Sequence, residues 1–239
     1  MPKSEAERIA KYLARAGVAS RREVERMIAA GRIALEGRAV TTPATFVTPD
    51  QRITVDGKPV AAPAQTRLWR YYKPRGLVTT ARDPQGRPTV FDHLPKSLPR
   101  VVTVGRLDLD SEGLLLLTND GALARQLELP ASGWERRYRV RVRGCPSKEV
   151  LAALKRGPVV AGTRYGPIEA ALERKMPGNS WLIVTLREGK NREIRHVFEH
   201  LGHSVSRLIR VGFGPFDLRA LEPGGVAEVA ASALEKVKG

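Results

Sequence analysis

Val104-Gly-Arg-Leu-Asp-Leu-Asp-Ser-Glu-Gly-Leu-Leu-Leu-Leu-Thr-Asn-Asp-Gly121 sets three different physical demands along eighteen residues. Leu114 to Leu117 is an unbroken apolar run bounded by Gly113 and Thr118, which reads as a strand buried on both faces. Asn119 or Asp120 is a suitable cap for a short helix over Ala122 to Leu127. Ahead of the strand, Asp108 lies in a polar loop. On the residues alone, Asp108 either closes a turn or serves as a nucleophile or base held by a rigid strand.

The rest of the chain narrows the setting. It has 239 residues, enough for one or two domains with sizeable cores. Lys and Arg number 41 against 25 Asp and Glu, a net charge of +16. That excess points to a polyanionic partner, and nucleic acid comes before membrane because no apolar run approaches transmembrane length. Cys145 is the single cysteine, which excludes intramolecular disulfides and Cys-clustered zinc. No apolar segment follows Met1-Pro-Lys-Ser-Glu5, so a cytoplasmic protein is expected.

Residues 5 to 59 read as a small module. A helix is expected from Glu5 to Ala16, with Ile9, Leu13 and Ala16 inward and Gly17 ending it. Ser20-Arg-Arg-Glu23 has the form of a capping box and opens a helix that turns Val24, Met27 and Ile28 inward and stops at Gly31. Short strands are expected at Ile33 to Leu35 and Ile53 to Val55, each followed by a turn, Glu36-Gly37 and Asp56-Gly57. Arg8, Lys11 and Arg15 fall on one helix face, and Arg21 and Arg22 continue the positive charge; phosphate contacts are expected at all five. Pro59-Val-Ala-Ala-Pro-Ala-Gln65 has the composition of a linker. The expected division is 1–60 as a module, 61–66 as a linker and 67–239 as a second domain. In that second domain, Arg137, Arg139, Arg141 and Arg143 alternate with Tyr138, Val140 and Val142, the period of a strand with one apolar face. Ala230 to Gly239 is expected as a loose helix or a frayed end.

Four segments in the same order carry a resemblance. Gly105-Arg106-Leu107-Asp108 with Gly113 to Gly121 resembles the active-site segment of the RsuA/RluB-type ribosomal RNA pseudouridine synthases. Tyr72-Lys-Pro-Arg-Gly-Leu-Val-Thr-Thr80 with Asp83 to Phe91 resembles that family's opening motif. Arg136-Arg-Tyr138 sits where the family has Lys-x-Tyr, and Glu188-Gly-Lys-Asn-Arg-Glu-Ile-Arg195 is similar to its closing basic motif, EGxNRQVRR. Leu13 to Arg22 also resembles the αL-type RNA-binding module of a small-subunit ribosomal protein, which in this family often precedes the catalytic domain.

The resemblance implies an α+β protein: the N-terminal RNA-binding module, then a catalytic domain on a long mixed, mainly antiparallel sheet flanked by helices. It implies an isomerase, an intramolecular transferase that converts a uridine of ribosomal RNA to pseudouridine. Its lean is toward the large-subunit 23S RNA, with a small-subunit 16S target second. Asp108 becomes the nucleophile or electrostatic stabiliser, and Tyr138 stacks on the base. Ile194 floors the pocket beside the uracil. Arg106 holds the space or a phosphate of the flipped nucleotide, and Lys73 joins the RNA-binding set. Arg195 is expected within about 4–6 Å of Asp108, holding that carboxylate in its charged form. No metal or organic cofactor is implied. The expected partners are ribosomal RNA, free or in a pre-ribosomal particle, with no membrane, and the chain is expected to be a monomer. Glu193 and His196 depart from the family's usual Gln and second Arg.

Two other readings remain. His196-Val-Phe-Glu-His200 matches H-x-x-E-H, a metal-binding spacing with a candidate base, though it accounts for five residues only. His93 and His203 are expected to be ordinary surface or core side chains. A non-catalytic RNA-binding or ribosome-assembly protein accounts for the charge and the first module but leaves Gly105 to Gly121 without a purpose.

Overall fold

A computed structural model describes residues 6–238. Glu5 and the rest of the Met1-Pro-Lys-Ser-Glu stretch, and Gly239 at the far end, lie outside the described residues. The chain divides into two compact units, one made of the described residues up to Thr66 with Asn119–Gly121, the other of Arg67–Thr118 and Ala122 onward.

In the first unit, helix α1 runs Ile9–Arg15 and α2 runs Arg21–Ala29. α1 starts later than the spacing predicts because Glu7 and Arg8 pair as a short strand with Val47 and Phe46. Arg8 therefore sits at the cap in extended conformation rather than on the helical face. Ser20 Oγ accepts from Glu23 N, as the capping box requires. Strands β1 (Ile33–Leu35) and β2 (Ile53–Val55) pair antiparallel. Glu36-Gly37 and Asp56-Gly57 all have positive φ, the geometry of tight hairpin turns. Ile9, Leu13, Val24, Met27, Ile28, Ile33 and Ile53 close a core of their own.

The second unit is built on a nine-stranded sheet. In chain order its principal strands are β3 (Leu68–Lys73), β4 (Val102–Val104), β5 (Glu112–Thr118), β6 (Arg136–Arg143), β7 (Ile168–Met176), β8 (Asn179–Leu186), β9 (Val205–Phe213) and β10 (Val226–Glu228). Across the sheet they lie β7-β8-β6-β9-β5-β3-β10, with β4 on β5 and Phe216–Asp217 on the end of β9. Only β9 and β5 run parallel; the other pairings are antiparallel. The mixed α+β architecture is the one that the sequence implies.

β5 explains the quoted stretch. Leu114 to Leu117 all have zero exposure, Leu114 and Leu116 in one core and Leu115 and Leu117 in the other. Each leucine stabilises the fold by roughly 1.5–3 kcal/mol, which fixes this strand at the centre. Helix α3 (Gly121–Glu128) follows and turns Leu123, Ala124 and Leu127 onto the first of those cores. Helices α4 (Lys148–Leu154) and α5 (Glu193–His200) contribute to a third core with β6 and β8, and α6 (Ala231–Lys238) covers the α3 side. Gly113 is required where β5 meets β9. Its φ is +103°, and a Cβ there would lie 2.3 Å from the Arg210 carbonyl oxygen.

Candidate active site

The opening motif builds the seat of Asp108. Lys73, at the end of β3, has no exposure, and its Nζ donates to the carbonyls of Pro74, Asp108 and Ser111 at 3.0, 3.1 and 2.8 Å. Thr79 Oγ1 donates to Leu107 O at 2.7 Å, and Gly76 N donates to Leu109 O at 2.8 Å. Segments roughly thirty residues apart in sequence thus hold the 107–111 loop from below. This corrects the expectation that Lys73 reaches RNA: a side chain with no exposed surface and three carbonyl partners is a strut. Burial pushes its ammonium down to about 8, against the pull of Asp108, Asp110 and Glu112.

Arg195 acts on Asp108 electrostatically, but its close contacts are to the neighbouring Asp110. Arg195 Nη2 lies 3.1 Å from Asp110 Oδ2 and donates to Asp110 O at 3.2 Å, while Nη1 donates to Val205 O. The arginine nearest Asp108 is Arg192, at 3.8 Å from Oδ2, and Arg192 also lies 3.5 Å from Asp110 Oδ1. Arg192 takes the left-handed conformation at the start of α5, and that turn brings its side chain over the loop. Asp108 therefore keeps a looser cationic neighbour than the motif suggests, and Asp110 takes the tight one.

A cavity of about 320 Å³ opens beside this loop. Asp108, Arg106, Tyr138 and Ile194 line it together, four side chains from three separate motifs. Tyr138 of β6 stands directly opposite Val184 of β8 and Arg210 of β9. Ile194 is buried on the first turn of α5. Arg136, Arg210, Phe213 and Glu193 line the same cavity, and the motifs give them no role there. For Arg210 the signal was present, a cation within the apolar strand Leu208-Ile-Arg-Val.

Arg136 and Arg210 lie over one ring, with Cζ 4.9 and 5.5 Å from the centre of Phe213. Arg136 is satisfied by the carbonyls of Trp134, Arg187 and Glu128, and burial lowers its pKa. Glu193 is a buried acid. Burial first, and then the neighbouring Glu188, push its carboxyl up to about 8. Its Oε2 accepts from Lys190 N, and Oε1 is buried.

Of the H-x-x-E-H residues, His196, Glu199 and His200 are all exposed on α5. Among the described residues no group of three or more His, Cys, Asp or Glu side chains comes together as a metal site. In the first unit, Arg8, Arg21 and Arg22 are exposed and form no ion pair among the described residues. Lys11 and Arg15 both close on Glu7, at 3.2 and 2.6 Å.

Residues 67–200 match the family model described as RNA pseudouridylate synthase. That match takes in the Asp108 loop, Tyr138 and the start of α5. The chain belongs to the RNA pseudouridine synthase family. Residues 7–53 match the S4 domain model, so an S4 module precedes the synthase fold. The synthase is 46% identical to an RNA pseudouridine synthase of Rickettsia prowazekii, over 96% of this chain and 97% of that protein. It is 42% identical to ribosomal large subunit pseudouridine synthase B of Salmonella typhimurium, over 98% of this chain and 82% of that protein. A crystal structure of a pseudouridylate synthase superposes with a TM-score of 0.66 at 25% identity, covering 96% and 99% of the two chains. No helix among the described residues is long and apolar enough to cross a membrane.

Proposed function

We propose that this synthase isomerises one uridine of large-subunit 23S ribosomal RNA, with Asp108 as its nucleophile or electrostatic stabiliser. The observation that carries the target is the 42% identity, along nearly the whole chain, to an enzyme named for the large ribosomal subunit. What supports Asp108 is its place in the cavity: a half-exposed carboxylate beside Tyr138 and Ile194, on a loop held by Lys73, Thr79 and Gly76.

The chemistry asks for three things. The uridine leaves its stack, and Tyr138 offers a ring against which its base can lie. The N1–C1′ bond breaks next to Asp108, which attacks or steadies C1′. The uracil then turns, C5 bonds to C1′, and the proton that C5 gives up is matched by the one that N1 gains. Arg106 and Arg192, both at the rim, are suited to the phosphates of the flipped nucleotide. The S4 module adds affinity through its exposed arginines. We take the synthase to act as a monomer in the cytoplasm, on free RNA or on an assembling particle.

The test is to map pseudouridine in ribosomal RNA from cells with and without the gene, complemented by wild type or by Asp108→Asn. A single large-subunit site that depends on Asp108 is expected. A site in 16S RNA would move the target, and a site that persists with Asp108→Asn would remove Asp108 from the chemistry.

A further inference from the structure

Arg210 stands out among the residues that line the cavity. It is 3% exposed, and its register partners are Tyr138 on one side and Gly113 on the other. Directly opposed residues of antiparallel strands project to the same face, and Arg210 and Tyr138 both line the cavity. Among the described residues its one hydrogen bond runs from Nε–H to Leu114 O at 2.6 Å, and Nη2 is buried with no partner. No carboxylate lies within ion-pair distance of it among the described residues. A buried cation with a single carbonyl partner is costly, and the fold keeps it at a place where a ligand enters. Gly113 has no side chain that could come between the strands at this point.

We propose that Arg210 is a further catalytic group, whose free guanidinium N–H donors bind a carbonyl oxygen of the uracil and hold the negative charge that the base carries when its N1–C1′ bond breaks. This rests on the reaction proposed above. The electron pair of that bond leaves with the base and spreads over N1, O2 and O4. The anion exists only between the breaking of one glycosidic bond and the making of the other, and a donor already fixed in a dry pocket serves it without reorganisation. Arg136 is less suited, because three of its five N–H donors already meet carbonyls. A phosphate of the flipped nucleotide offers the other acceptor for this guanidinium, and the two separate experimentally. A phosphate contact acts on affinity, whereas a contact to the departing base acts on rate and weakens in importance as the base becomes a better anion.

The test uses the full chain and a transcript carrying the mapped uridine, either as uridine or as 5-fluorouridine, whose base is the more acidic. Single-turnover rates at saturating enzyme are read for wild type, Arg210→Met and Arg210→Lys. Fluorouridine consumption is counted as cleavage, since fluorine at C5 replaces the proton that would leave. Arg210→Met should lower the uridine rate by about 10²–10³ with RNA affinity nearly unchanged, Arg210→Lys by less, and both deficits should shrink markedly on fluorouridine. A wild-type rate in Arg210→Met, a deficit equal on the two bases, or a loss confined to affinity would each overturn the proposal. Should Arg210→Met not fold, the Arg210→Lys deficit on the two bases decides. If wild type itself leaves the uridine unchanged, it is the proposed function that fails, and Arg210 is not at issue.

Discussion

Arg195 grips Asp110 twice, through the side-chain carboxylate at 3.1 Å and the main-chain carbonyl at 3.2 Å, two residues beyond Asp108. The loop that carries Asp108 is therefore clamped from the α5 side through its neighbour. Burial draws the Arg195 pKa below its ordinary value, and Asp110 is the first of the groups that oppose this.

Substituting the two carboxylates should separate chemistry from scaffolding. Asp108→Asn is expected to abolish pseudouridine formation while fold and RNA binding stay intact. Asp110→Asn should lower both rate and stability in part, because it leaves Arg195 short of its counter-charge. The stability cost should be about 1 kcal/mol, kept small by the partial exposure of Asp110. Thermal melts and single-turnover rates on the two variants check this; a fully active Asp110→Asn with wild-type stability would show that the clamp is idle.

Much of this was legible in the residues. Leu114 to Leu117 reads as a strand buried on both faces, and the Arg/Val alternation of 137–143 as a strand with one apolar face; both stand in the sheet as expected. Three of the four motifs carry the cavity's Asp108, Arg106, Tyr138 and Ile194. What stayed hidden depends on distances between segments far apart in sequence. Spacing cannot tell whether Arg195 reaches Asp108 or Asp110, because both lie in one loop on the other side of the site. Nor does Lys73 look different from a surface lysine until β3 places it under the 107–111 loop. The late start of α1 has the same origin, since Glu7 and Arg8 pair with Val47 and Phe46, far along the chain.

Lys73→Met should test the strut. It removes three hydrogen bonds beneath the Asp108 loop, so the saturating rate should fall more than RNA affinity does. The folded ammonium titrates near 8 against an ordinary 10.5, so between those values the unfolded chain holds more protons than the folded one. Stability from this group consequently rises with pH across that window. Lys73→Met should lose that rise, which denaturant melts at pH 8 and 10 would reveal; an unchanged slope would assign the rise to another group.

Glu193 behaves in the opposite sense. Its folded carboxyl titrates near 8 and its ordinary value is 4.5, so the folded state holds the extra proton between them. The stability this group contributes is present below about 4.5 and is lost as pH rises through about 8. Glu188, Lys190 and Arg136 are the charged groups that act on it or feel it. Glu193→Gln, a neutral side chain of the same shape, should melt a few degrees higher than wild type at pH 9 and show no advantage near pH 4.5. Equal melting temperatures at pH 9 would mean that Glu193 is not buried with a proton.

The S4 module offers a graded test of RNA binding, because its basic residues are not equivalent. Arg8, Arg21 and Arg22 are exposed without ion pairs among the described residues, whereas Lys11 and Arg15 share Glu7. A phosphate bound by a free arginine releases counterions fully; one bound by a cation already paired to a carboxylate requires that cation to give up its partner first. Replacing Arg8, Arg21 and Arg22 by Gln together should flatten the plot of log K against log salt by roughly 0.7–0.9 for each phosphate no longer neutralised. Replacing Lys11 and Arg15 should flatten it less. The rest of the chain keeps most of the positive charge, since residues 1–60 hold only 11 of the 41 Lys and Arg. Binding should therefore weaken without disappearing, and the saturating rate should hold, because Asp108, Tyr138 and Arg210 all belong to the second unit. Filter binding across a salt series, paired with single-turnover kinetics on the same RNA, reads both quantities. A collapsed saturating rate with an unchanged salt slope would mean that these arginines serve the chemistry and not the phosphates.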